Sequence, residues 1–120
     1  MKNLFVLAFL LLIGFASTAQ SNSTTAKTKE MKTYLIERQI PGAGNLTPAE
    51  LKGISQTSCS VLKDMGTSIK WIHSYVVDDK IYCVYQADNE QLIRDHGAKG
   101  GFPVNNIMEV ASTISPATAE

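Results

Sequence analysis

From residue 31 onward the spacing of apolar positions changes period several times, and each change marks a new element. Residues 31–40 (MKTYLIERQI) carry β-branched and aromatic side chains in alternation and stop at Pro41-Gly42, which predicts a strand. Pro41-Gly42-Ala43-Gly44-Asn45 is a loop rich in breakers. Thr47-Pro48-Ala49-Glu50 then reads as a helix start: Thr47 caps, Pro48 suits the first helical position, and Glu50 closes a capping box. Leu51, Ile54, Ser58, Val61, Leu62 and Met65 recur at three- and four-residue spacing as one stripe, and Gly66 ends the helix. Residues 69–77 (IKWIHSYVV) and 80–87 (KIYCVYQA) predict a hairpin turning at Asp78-Asp79. A second helix is expected from Asp88 or Asn89 to Gly100-Gly101, with Pro103 beyond it. Residues 106–114 (NIMEVASTI) predict a last strand.

The order β-α-β-β-α-β with right-handed crossovers predicts an α+β, ferredoxin-like sandwich: a four-stranded antiparallel sheet with both helices on one face. Sorting the strands by period two puts Tyr34, Ile36, Ile72, Val76, Tyr82, Val84, Met108 and Val110 under the helices. The opposite face then holds Leu35, Glu37, Trp71, His73, Tyr75, Cys83, Tyr85, Ile107 and Glu109. That second set is too aromatic for a solvated surface and too polar for an ordinary core. Large exposed patches mark interfaces or ligand grooves, so a homodimer with two sheets face to face is expected. Trp71, Tyr75, Cys83 and Tyr85 would line that pocket or interface.

The first residues differ from everything after them. Lys2 precedes an apolar run of about 12 residues from Leu4 to Phe15, short of the ~20 that a bilayer span requires. Ser17 and Ala19 then stand at −3 and −1 of a cut before Gln20, the layout of a secretory signal peptide. The division expected is 1–19 signal peptide, 20–30 flexible leader, 31–115 domain and 116–120 loose tail. The mature protein is expected to be periplasmic or secreted, with no stable membrane span. Eleven basic residues balance eleven acidic ones without clustering, which leaves no footprint for nucleic acid.

Candidate chemistry is sparse. His73 is the first choice for a metal ligand, with Glu37 and Glu109 on neighbouring strands as oxygen donors, a mixture that suits nickel, zinc or copper. His96 reads as a solvated residue at the end of the second helix, with a surface metal site beside a carboxylate as the alternative. There is no His pair at helical or strand spacing and no CxxC. GxSxG, HExxH and a glycine-rich phosphate loop are absent from the sequence, and a Cys83–His73 nucleophile pair would need far more than a shared face. An enzyme activity has no support in the sequence. Export permits a Cys59–Cys83 disulfide, but Cys83 is expected to point away from the helices, with the sheet between the two thiols. Free cysteines are the expectation.

Residues 31–38 (MKTYLIER), 71–76 (WIHSYV), 79–85 (DKIYCVY) and 101–103 (GFP) in combination resemble a small bacterial family named after an actinobacterial nickel-binding protein. The resemblance spans about residues 31–115 and implies a ferredoxin-like subunit that dimerises, with divalent nickel bound in at least one member. His73 is the position to which a ligand role would first carry over; His96 and nearby acids come second. Members of the family generally lack an export segment. The function expected is therefore an exported, small, dimeric binding protein for nickel or another divalent metal. The alternatives are a ligand-free interaction module, or a small-molecule pocket enclosed within the dimer, of the kind found in cofactor-free oxygenases, lined by Trp71, His73 and Tyr85.

Overall fold

A computed structural model describes residues 29–120; the expected signal peptide and all but the last two residues of the expected leader lie outside the described residues. The elements follow the expected order: β1 (Lys32–Gln39), α1 (Pro48–Met65), β2 (Ile69–Val76), β3 (Lys80–Ala87), α2 (Glu90–Gly100) and β4 (Asn106–Glu109). The four strands form one antiparallel sheet in the order β2-β3-β1-β4, the ferredoxin-like arrangement, with α1 and α2 packed against each other and against the sheet. None of the described helices is long and apolar enough to cross a membrane.

Local chemistry explains the boundaries. Thr47 Oγ1 accepts from the Glu50 N–H at 3.2 Å while the Thr47 N–H donates to Glu50 Oε2 at 2.8 Å, so the capping box is complete. Asn89 Oδ1 caps α2 by accepting from the Leu92 N–H at 3.1 Å. Gly101 ends α2 at φ 71, a left-handed conformation that costs glycine little. The loop after β1 turns through a short 3₁₀ helix (Ala43–Asn45) and docks on the hairpin turn, where the Gly44 N–H donates to the Asp78 carbonyl at 2.8 Å.

Two expectations about segments change. The last strand stops at Glu109, not residue 114; one more bond, from the Val110 N–H to the Thr33 carbonyl at 2.8 Å, follows it before β1 runs out at Lys32. Residues 116–119 form an exposed 3₁₀ turn where a loose tail was expected.

The assignment of strand faces is corrected more deeply. Residues directly opposite in a ladder share a face. Tyr34 pairs with Tyr85 and Ile36 with Cys83, while Tyr34 also pairs with Glu109 and Ile36 with Ile107. Cys83, Tyr85, Ile107 and Glu109 therefore lie on the helix side, and Tyr82, Val84 and Met108 lie on the open side. In β2 the register shifts between Trp71 and His73, a β-bulge that leaves Ile72 out of the ladder and 42% exposed. The bulge places Trp71 opposite Tyr85 on the helix side yet His73 and Tyr75 opposite Val84 and Tyr82 on the open side. The core is consequently Tyr34, Ile36, Ile69, Ile81, Cys83, Tyr85, Ala87 and Ile93, with Ala43 at its end.

Candidate functional site

The alternation that buries Tyr34 and Ile36 continues to Arg38, which is 3% exposed. Its Nη1 donates to the Pro103 carbonyl at 2.9 Å, and its Nε lies 3.4 Å from Cys83 Sγ, a weak acceptor. The guanidinium carbon sits 5.5 Å from the Phe102 ring centre and 6.0 Å from that of Tyr85. Its Nη2 has no hydrogen-bond partner. The ion pairs among the described residues are Lys32–Glu109, Lys80–Glu37 and Arg94–Glu90, so no carboxylate faces Arg38.

Beside it runs a short polar chain. Ser58, the one buried residue of α1, lies 3.3 Å from the Tyr85 hydroxyl and 3.1 Å from His96 Nε2. His96 stacks on Phe102 at 5.5 Å and tilts against Tyr85 at 5.2 Å. Phe102 reaches this position because the chain reverses at Gly101 and the Phe102 N–H donates back to the Gly97 carbonyl at 2.8 Å. Gly97 makes the close packing possible: a Cβ there would stand 2.7 Å from Val104 Cγ2 and 3.0 Å from the Phe102 carbonyl oxygen.

His96 is therefore not a solvated helix end; it is fully buried. Burial, and secondarily the charge of Arg38, hold its imidazole down to about 4, so it is neutral at pH 7. Burial likewise pushes the Tyr85 phenol up. Ser58 and His96 have the spacing of a nucleophile and base, but His96 Nδ1 has no partner and so weakly basic an imidazole is a poor proton acceptor.

Between α1 and the sheet, next to Arg38, lies a partly open cavity of about 160 Å³. It arises where α1's apolar stripe is interrupted: Ser55 and Ser58 face the sheet where larger side chains would have filled the space. Trp71, the only tryptophan, forms another wall together with Ser74, whose Oγ accepts from the indole Nε1 at 2.9 Å. Cys83 and Tyr85 form the floor. Sequence reasoning named Trp71, Cys83 and Tyr85 but placed them on the wrong face, and missed Arg38 and Ser58. The signal for both was a polar residue at an inward position of an apolar pattern.

The expected metal set is not brought together. Glu37 and His73 share the open face but stand on β1 and β2, with β3 between them; two strand spacings amount to about 9.6 Å. Glu37 is paired with Lys80 at 2.7 Å, and His73 packs edge-on against Tyr75 at 4.9 Å. Glu109 is on the other face, 3.2 Å from Lys32. With His96 buried, no three His, Cys, Asp or Glu side chains converge among the described residues. Cys59 and Cys83 are both free, the first exposed and the second buried beneath the helix layer.

Comparison with known proteins agrees with this fold. The crystal structure of SCO4226 from Streptomyces coelicolor A3(2) superposes with a TM-score of 0.59 at 16% identity, covering 68% of this chain and 99% of that one. No curated protein matches the sequence. The family profile described as nickel responsive protein SCO4226-like matches residues 34–110, which include both halves of the hairpin, Arg38, Ser58, His96 and the Gly101-Phe102-Pro103 turn. The chain belongs to the SCO4226-like family of nickel responsive proteins.

Proposed function

We propose that this is an exported small-molecule-binding protein whose ligand occupies the cavity between α1 and the sheet. The observation that carries the reading is the cavity itself: about 160 Å³, partly open, with mainly apolar walls and a few inward polar groups. Ligand sites generally have that composition. An apolar cavity of about 150 Å³ accepts benzene, which sets the scale of the occupant. Export rests on Lys2, the Leu4–Phe15 run and the Ser17/Ala19 cut. Trp71 supplies the assay, because a single tryptophan on the cavity wall makes intrinsic fluorescence a local report. Mature protein (residues 20–120) titrated with small aromatic and branched probes is expected to give saturable Trp71 changes and amide shifts confined to Ser58, Trp71 and Tyr85. Ser55→Phe, which fills the cavity from α1, is expected to abolish them. Probes that bind nowhere, or bind equally well to Ser55→Phe, refute the reading.

A second reading is favoured by the family description and by the open sheet face. One chain does not fit nickel: His73 and Glu37 are separated by β3, and Glu109 and His96 lie on the other side of the sheet. A homodimer with open faces together would supply His73 and Glu37 twice. It would also cover Tyr75, 59% exposed, and Met108, 39% exposed. Sedimentation together with elemental analysis of protein purified without chelators tests it. A dimer with nickel or another divalent metal that is lost in His73→Ala supports it, and a metal-free monomer removes it.

A further inference from the structure

We infer that the cavity is built for a small monoanion, a carboxylate on an apolar body of about six to nine non-hydrogen atoms, with Arg38 as its anchor. The inference rests on the cavity reading above and adds the charge and class of the ligand. Arg38 is 3% exposed, borders the cavity, and has one guanidinium nitrogen, Nη2, that is without a partner and closed to water, so a ligand oxygen reaches it only when the guanidinium turns toward the chamber. Its other two nitrogens are directed to a carbonyl oxygen and a thiol sulfur, and its faces meet the rings of Phe102 and Tyr85. Every one of these neighbours is neutral or only partially negative. A buried cation without a counter-charge is among the costliest arrangements a fold can keep. Water would satisfy the free N–H but would not balance the charge; an anionic ligand would do both.

The remaining chemistry narrows the class. A single cation balances a single negative charge, and neutral His96 beside it adds none, so a phosphate dianion would leave one charge buried and uncompensated. Ser58 already bonds Tyr85 and His96, so that chain leaves at most one hydroxyl proton for a second oxygen, while Leu51, Ile54, Trp71 and Val76 offer apolar walls to the rest of the molecule. That division, one charged corner and an otherwise apolar chamber, matches a benzoate-like or short branched-chain acid.

The test compares benzoate with benzamide, of nearly equal size and shape, by amide shifts and Trp71 fluorescence on mature protein at constant ionic strength. Benzoate is expected to bind about tenfold or more tightly than benzamide, the advantage of a charge-assisted hydrogen bond. Arg38→Met is expected to erase the preference; because an apolar isostere relieves a buried charge, the variant should remain folded, which circular dichroism checks. Equal affinity of the two probes in wild-type protein would overturn the monoanion assignment and leave the cavity reading standing. Binding of neither would overturn both. Thiolate ultraviolet absorption at pH 6 in a Cys59→Ser background would also overturn the assignment, because Cys83 would then already supply the counter-charge.

Discussion

His96 ties the stability of the domain to pH in a way that can be calculated. The imidazole is fully buried against Phe102, Tyr85 and Ser58, and its folded value lies near 4 where the ordinary value is 6.5. Between those values the unfolded chain takes up a proton that the native protein refuses. Stability is therefore complete above about pH 6.5, falls as pH drops, and stops falling near pH 4. The full loss is roughly 3 kcal/mol, and about 2 kcal/mol of it is spent by pH 5. For a domain of this size that corresponds to a drop in Tm of about 10 °C between pH 7.5 and pH 5. Thermal and urea unfolding across that range measures it. His96→Gln, which keeps a polar group toward Ser58 but does not titrate, is expected to be less stable at pH 7.5 and nearly flat down to pH 5. A wild-type curve flat to pH 5, or a variant that keeps the wild-type slope, would refute the reasoning.

Three further outcomes follow from local geometry. Thr47→Ala removes the side-chain half of the capping box and is expected to cost about 1 kcal/mol in urea unfolding; in the wild type the Thr47 N–H holds the Glu50 carboxyl below its usual value, so the contribution of that bond is lost as pH falls below 4.5. Gly97→Ala drives a methyl group against Val104 and the Phe102 carbonyl, and a loss of about 1–3 kcal/mol is expected, read by thermal unfolding. Alkylation kinetics by mass spectrometry should show Cys59 reacting at once and Cys83 about tenfold or more slowly, in keeping with their exposed and buried positions; equal rates would contradict the placement of Cys83 under α1.

Period and punctuation were readable in the sequence, and phase was not. Thr47-Pro48-Ala49-Glu50, Gly66, Asp78-Asp79 and Gly101 fix element ends by local chemistry, so the order of elements and the fold followed directly. The faces of β3 could not be chosen by hydrophobicity, because Ile81, Cys83 and Tyr85 alternate with Tyr82 and Val84, apolar on both sides. Only pairing of Tyr34 with Tyr85 decides the matter, and register is a tertiary property. The bulge at Ile72 compounds the difficulty, since it brings Trp71 and Ser74, three residues apart, to one face. Arg38 was overlooked because a charged residue at the end of a strand ordinarily faces water. His96 was misread because its burial depends on Phe102 folding back over it after the left-handed turn at Gly101.

The most direct test of the account is a crystal structure of residues 20–120 with benzoate. The account predicts density in the chamber between α1 and the sheet, with a carboxylate oxygen about 3 Å from the Arg38 guanidinium turned toward it and the ring against Trp71. Benzoate on the open sheet face beside His73, or a chamber closed by α1 with Arg38 turned to solvent, would contradict it.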